Sequence, residues 1–299
     1  MIAHARPSVA HLINGSDPSE IAFGVNATSF IRLASLAVGQ TFGERNETVV
    51  TDLDREANIA TGLALEPLGE GCLWWKVCDD GALHLADLEP LPSSRTRLVA
   101  CAVASNTIGS VVDLAAVADR AHALGAEVVL AAVHYVPHAL IDVQAFDCDY
   151  LVCSVYELFL PHMGFLWGRR EALTRLRTFR EDFIPDEPPG QDRGRSIHLR
   201  ECGGNGRGSG ISGGGLGNPW RAERACRMAS RREKVVSAMP AIRAYEASLS
   251  REMLRILAAH GANVHGVTDP GAPGRAAAEV RNCLTGYSFA RDRKLAVVK

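Results

Sequence analysis

The sequence predicts an α/β protein built on a mostly parallel sheet flanked by helices. Two observations carry this. Continuous apolar runs recur between Arg97 and Trp167, and helical or turn material separates them. Strands that are apolar on both faces are covered on both faces, which is the pattern of a parallel sheet between helices. A third observation concerns size: 299 residues, 47% of them hydrophobic, suffice for a large core in one big domain or a big domain plus a small one.

The first buried run is Arg97 to Ala104, and Ser105-Asn106 with Gly109 close it with turn chemistry. Val111 to Leu124 places apolar residues at helical spacing, with Gly125 at the expected helix C-cap. Glu127 to Val133 is a second buried run and Asp149 to Ser154 a third. A fourth, Met163 to Trp167, ends at Gly168 before the polar Arg169-Arg170-Glu171. Pro185 to Pro219 then turns rich in glycine, proline and arginine, a composition that packs no core. Helical periodicity returns from about Ala229 to Ala259, its apolar stripe running through Val235, Val236, Met239, Ile242, Tyr245, Leu249, Met253, Leu254 and Leu257. Gly261 ends it. The expected organisation is residues 1–185 as a large α/β core, 186–229 as an irregular segment, and 230–299 as a helix with a partial small domain.

A formal net charge of -2 argues against bulk nucleic-acid or membrane-surface binding. No run approaches the roughly 18 apolar residues that span a bilayer. Residues Met1 to Ala10 lack the charged-then-apolar order of a secretory signal. Most of the eight cysteines sit in apolar runs, as in Ala100-Cys101-Ala102 and Val152-Cys153-Ser154, and read as small buried hydrophobes of a reducing compartment. The expectation is a cytoplasmic protein.

Specific segments add to this. Asp17 to Ile21, Asn26-Ala27-Thr28, Thr51 to Asn58, Ser105 to Gly109, Ala132 to Gln144, Cys148 to Arg170 and Ser230 to Glu252 follow one another in the order and spacing of a known family. The chain resembles the cysteine desulfurase and selenocysteine lyase-like branch of the class V aminotransferases over about two-thirds of its length. That resemblance implies a pyridoxal phosphate-dependent transferase fold of type I, with a seven-stranded, mostly parallel sheet and a smaller C-terminal domain. Against that plan Met1 begins inside the large domain, and the small domain is cut short. The resemblance also implies a homodimer, provided the interface is kept.

Pyridoxal phosphate enzymes ask the protein for a lysine amine, an acid at the ring nitrogen, a flat partner for the ring and a polar phosphate pocket. The family places its lysine in a Ser-x-(His/Tyr)-Lys motif. This chain reads Ser154-Val155-Tyr156-Glu157, so Glu157 takes the lysine position. The family's ring-nitrogen aspartate becomes Ala131 in Ala131-Ala132-Val133-His134, and its stacking histidine becomes Arg55 in Asp54-Arg55-Glu56-Ala57-Asn58. A carboxylate cannot condense with an aldehyde. Without the aspartate the ring nitrogen loses the partner that favours its charged form. Arginine can stack on a ring, but it opposes a pyridinium. The resemblance implies a residual pocket as well: Thr28, Ser154 and Tyr156 match phosphate-side residues, and His134 matches the group beside the ring hydroxyl. Pyridoxal phosphate is thus the cofactor by resemblance, with covalent binding not expected. No replacement amine is evident, because Lys76, Lys234, Lys294 and Lys299 are the only lysines and none follows a strand end near the cleft.

Other signals weigh less. Cys202, Cys226 and Cys283 do not sit in a family-like mobile cysteine loop. Gly208 to Gly213 fits dinucleotide-loop spacing, but no strand precedes it and no helix start follows. His134 and His138 are four apart, yet Pro137 between them disfavours a shared helix face, and no metal site is expected. The glycine tract carries no trace of the family's loop, which suggests a reading-frame slip and its later correction; translating the coding DNA in three frames across that tract tests this. The leading expectation is a catalytically disabled desulfurase-like protein, decaying or serving as a scaffold that binds a partner. The alternative is an enzyme that reuses the cleft without the cofactor, with Glu157 as acid or base and His134 or Tyr156 assisting. A third is residual desulfurase or lyase activity through noncovalent cofactor.

Overall fold

A computed structural model of the chain describes residues 2–66, 69, 71–158, 160–177, 230–261, 263–264, 287–291 and 294–298. The expectations for the glycine tract, for Cys202, Cys226 and Cys283, and for most of the small domain lie outside these residues.

Seven strands form the main sheet: β1 (Ile21–Gly24), β2 (Glu47–Thr51), β3 (Gly71–Trp75), β4 (Thr96–Ala102), β5 (Glu127–Ala131), β6 (Tyr150–Ser154) and β7 (Gly164–Gly168). Their spatial order is β1-β7-β6-β5-β4-β2-β3. Pairing is parallel from β3 through β2, β4 and β5 to β6. β7 runs antiparallel to both β6 and β1, so every strand except β7 points the same way. The reversal has a simple cause. Only the short stretch Val155–Met163 joins β6 to β7, too little for the crossover that a parallel return needs.

The expected burial on both faces is present. In β6, Leu151 and Cys153 join one core cluster, while Tyr150 and Val152 join the other. In β7, Phe165 and Trp167 face the first and Leu166 the second. This is the two-residue alternation of a pleated strand with apolar residues on both sides. The first face carries α1 (Ile2–Ile13) and α5 (Leu114–Ala123); the second carries α2 (Ala27–Gly39) and α6 (Arg170–Arg175). Two shorter helices, α3 (Glu56–Leu63) and α4 (Leu85–Leu88), follow β2 and β3.

Local chemistry fixes the helix ends. Asp113 caps α5 by accepting the Ala116 amide hydrogen, and Leu114, Val117, Ala118 and Ala121 form its buried face. The helix begins later than the periodicity suggested, because Val111 pairs with Ala104 in an isolated bridge. Gly125 then adopts φ +71°, a left-handed turn for which glycine carries no Cβ penalty. Arg45 covers that turn, donating to the carbonyls of Leu124 at 2.7 Å and Gly125 at 2.6 Å.

The last long helix, α7 (Arg231–Ala259), opens on a reciprocal capping box between Ser230 and Glu233. Its buried residues are Val235, Ala238, Met239, Ala247, Ser250 and Leu257. The wide stripe expected from sequence is only partly buried, since Val236, Tyr245 and Leu249 are 42%, 59% and 51% exposed. Polar contacts explain the rotation that the helix takes. Arg232 donates to the Leu12 carbonyl at 2.7 Å and pairs with Asp142, while Glu246 meets His138 at 3.0 Å. A small antiparallel sheet follows, β8 (Asn263–Val264), β9 (Tyr287–Arg291) and β10 (Lys294–Val298), in the order β10-β9-β8.

Candidate functional site

In an open sheet of this type, the loops leaving the carboxyl ends of the parallel strands converge on one crevice. Here the first turn of α2 follows β1 and brings Thr28. The segment after β2 brings Arg55, that after β4 brings Asn106, β5 ends in Ala131 with His134 beyond it, and β6 ends in Ser154. All six line a single cleft that encloses about 400 Å³ of atom-free space, part of it open to solvent.

The cleft floor is held by the junction of β6 with α2. Asn26 caps α2 by accepting the Ser29 amide hydrogen at 2.8 Å. The preceding amide, on Ala27, donates to the buried Ser154 hydroxyl at 2.8 Å. Gly164, opposite Ser154 in the β6–β7 register, makes this closeness possible. A Cβ built there would stand 2.6 Å from the carbonyl carbon of Asn26.

His134 has its Nε2 atom buried without a hydrogen-bond partner among the described residues. Burial holds its imidazole below the usual histidine range, and the charges of Arg55 and His138 push the same way; Glu157 pulls against them. The neutral ring is therefore the resident form near neutral pH. Arg55 is exposed at the N-cap of α3 and uses no side-chain atom to cap it. Among the described residues neither Arg55 nor Glu157 forms an ion pair.

Of the residues singled out from sequence, Thr28, Arg55, Ala131, His134 and Ser154 meet in this cleft. Tyr156 and Glu157 do not line it. They occupy the 3-10 turn Val155–Leu158 beyond β6, where the Tyr156 ring stacks on His162 with centroids 4.6 Å apart and planes 13° apart. The charge of Glu157 nevertheless reaches His134. His138, paired with Glu246, ties this same loop to α7. Among the described residues no cluster of His, Cys, Asp and Glu could hold a metal.

Asp54 was given no role by its sequence context. Burial pushes its carboxyl up to about 7, although the Ala102 amide, donating at 2.6 Å, works against that shift. Nothing in the linear pattern marks it, because the burial arises where β2 meets β4. Cys101 and Cys153 are buried thiols, held far from the thiolate form first by burial and then by the charges of Asp54 and Glu157 respectively.

A mostly parallel sheet with a single reversed strand, helices on both faces and a cleft at the strand ends defines an α/β protein of the type I transferase architecture. The aminotransferase class-V family model matches residues 1–181, and the chain belongs to that family. Relatives include a cysteine desulfurase of Dickeya dadantii, 35% identical over 181 residues, which cover 57% of this chain and 42% of that protein. The nonribosomal peptide synthetase-like enzyme fsqF of Aspergillus fumigatus is 38% identical over 181 residues, covering 59% of this chain and 12% of that enzyme. Among solved structures, the apo cysteine desulfurase of Thermococcus onnurineus superposes with a TM-score of 0.73 at 20% identity, over 97% of this chain and 68% of that one. The Escherichia coli desulfurase CsdA gives 0.64 at 19% identity, over 85% and 61%. The chain thus spans less than half of each of these two curated relatives. Among the described residues no helix is long and apolar enough to cross a membrane.

Proposed function

We propose that this chain is a cysteine desulfurase-like class V aminotransferase homologue that performs no Schiff-base chemistry. The observation that carries the reading is Glu157, which follows β6 where the family's Ser-x-(His/Tyr)-Lys motif supplies its amine. Three further features support it. No lysine is among the residues lining the cleft. Ala131 offers a methyl group at the end of β5 where an acid would hold a ring nitrogen, and Arg55 brings a cation where a neutral stacking ring is expected. The donor set does not fit pyridoxal phosphate as a covalent cofactor. A residual polar pocket of Thr28, Ser154 and His134 persists without the groups that would capture and activate the ring.

The test is to incubate the purified full chain with pyridoxal phosphate, reduce with borohydride and measure intact and peptide masses. No adduct at any cleft residue is expected, and no aldimine band in the visible spectrum. A reducible adduct on a lysine that reaches the cleft overturns the reading.

A second reading is favoured by one specific feature, the partnerless buried Nε2 of a neutral His134 under the influence of Glu157. A neutral imidazole that feels the charge of a carboxylate suits proton transfer, so the cleft would act as an acid–base site without the cofactor. Cysteine breakdown that proceeds in cofactor-free buffer and is abolished in H134Q would support it; equal rates in H134Q would end it. A scaffold role, binding a partner, is the third reading. The proposed organisation is residues 1–185 as the large core, 186–229 as an irregular connection and 230–299 as a helix with a partial small domain, in a cytoplasmic protein that forms a homodimer if the family interface is kept.

A further inference from the structure

Next to the cleft, under α2 and α3, lies a second cavity with about 690 Å³ of atom-free space, part of it open to solvent. Its walls are almost wholly apolar. Val38 comes from α2, Val50 from β2, Leu65 from beyond α3, Ala100 from β4 and Val152 from β6. Native interiors leave few voids larger than a water molecule, and an apolar void stays dry and accepts apolar guests. Three residues, Ile31, Asn58 and Ala131, line this chamber and the cleft alike. At the shared wall Ala131 presents only a methyl group. A polar cleft and an apolar chamber therefore stand on either side of one thin wall.

The cleft has a definite sign. Arg55 is exposed and free of carboxylate partners among the described residues, and Thr28, in the first turn of α2, lines the same cleft. Neither Asp54 nor Glu157 lines the cleft.

We propose that the joined cavities bind a small aliphatic carboxylic acid, its carboxylate held between Arg55 and Thr28 and its chain passing Ala131 into the apolar chamber. This site stands whether or not the cleft runs any chemistry, and it needs no cofactor.

The test is thermal unfolding of the full chain with butanoate, hexanoate and octanoate, each converted to an apparent Kd through the ligand-induced shift. Affinity should tighten about fourfold for each added methylene that the chamber buries. Octylammonium, with the same tail and the opposite head, should bind at least about tenfold more weakly than octanoate, because its charge opposes Arg55. R55Q should weaken octanoate by a similar factor. A131D, which sets a carboxylate in the shared wall, should abolish the effect. A34F, which fills the chamber from the helix side without adding charge, should flatten the chain-length dependence and spare butanoate. Circular dichroism and a cooperative transition establish that each variant is folded. Equal binding of octylammonium, or an unchanged chain-length dependence in folded A34F or A131D, overturns the proposal.

Discussion

The buried hydroxyl of Ser154, the last residue of β6, accepts the amide hydrogen of Ala27, the first residue of α2, at 2.8 Å. One bond therefore joins the end of a central strand to the start of a helix more than a hundred positions earlier in the chain, and Thr28 is placed over the cleft as a consequence. S154A should leave the Ala27 donor buried and unsatisfied, which costs about 1–3 kcal/mol. Urea denaturation should show a lower midpoint at unchanged slope, whereas an unchanged midpoint would mean that water replaces the hydroxyl.

Gly164 should tolerate no side chain. An added Cβ would stand 2.6 Å from the Asn26 carbonyl carbon and 3.0 Å from the Ala27 nitrogen, and both are backbone atoms that cannot swing away. G164A should destabilise by about 1–3 kcal/mol or more, the usual range for overpacking against atoms that cannot yield. It should also disturb the Ser154–Ala27 bond, so S154A and G164A combined should lose less than the sum of the single changes.

Asp54 makes stability depend on pH in an unusual direction. Its folded pKa is raised from 3.8 to about 7, so between those values the folded state binds more protons than the unfolded state. Stability contributed by this group is present below about pH 4 and is lost as pH rises towards 7. The full loss is on the order of 4 kcal/mol as an upper bound, at 1.36 kcal/mol per unit. D54N, which still accepts from Ala102, should flatten the unfolding free energy between pH 4 and 7. His134 acts with the opposite sign: its lowered pKa removes stability as pH falls below the ordinary histidine value, and H134Q should remove that acid-side loss.

The contact of His138 with Glu246 joins the loop that carries His134 to α7. Both side chains are mostly buried, at 19% and 22% exposed, so the pair is less screened than a surface ion pair. E246A should cost on the order of 1 kcal/mol and speed amide hydrogen exchange in α7 more than in β4 or β5. Uniform acceleration across all elements would show that the contact does not hold the helix locally.

Much of the fold was legible because the strands of a parallel sheet are apolar on both faces. β5 and β6 fall within runs identified from sequence, β4 and β7 overlap theirs to within one residue at an end, and α5 and α7 lie where helical spacing was read. β1 has only four residues and β2 is polar at both ends, while β3 is a single apolar stretch of five residues outside the run of strands read from sequence; only the family resemblance implied these three. The exposure of Val236, Tyr245 and Leu249 was not legible, because hydrogen bonds to the carbonyls of α1 and ion pairs to Asp142 and the His138 loop set the rotation of α7.

By itself the sequence determined which chemical groups stand at the positions of the family motifs. A carboxylate at Glu157, a methyl at Ala131 and a guanidinium at Arg55 are covalent facts that no folding alters. Only the tertiary structure decided which of these groups meet. It gathered Thr28, Arg55, Ala131, His134 and Ser154 at the strand ends, turned Tyr156 onto His162, set Asp54 half-buried against the end of β4, and opened the apolar chamber beside Ala131. The reason is physical: burial, desolvation and empty space depend on residues far apart in the chain, and no local pattern encodes them.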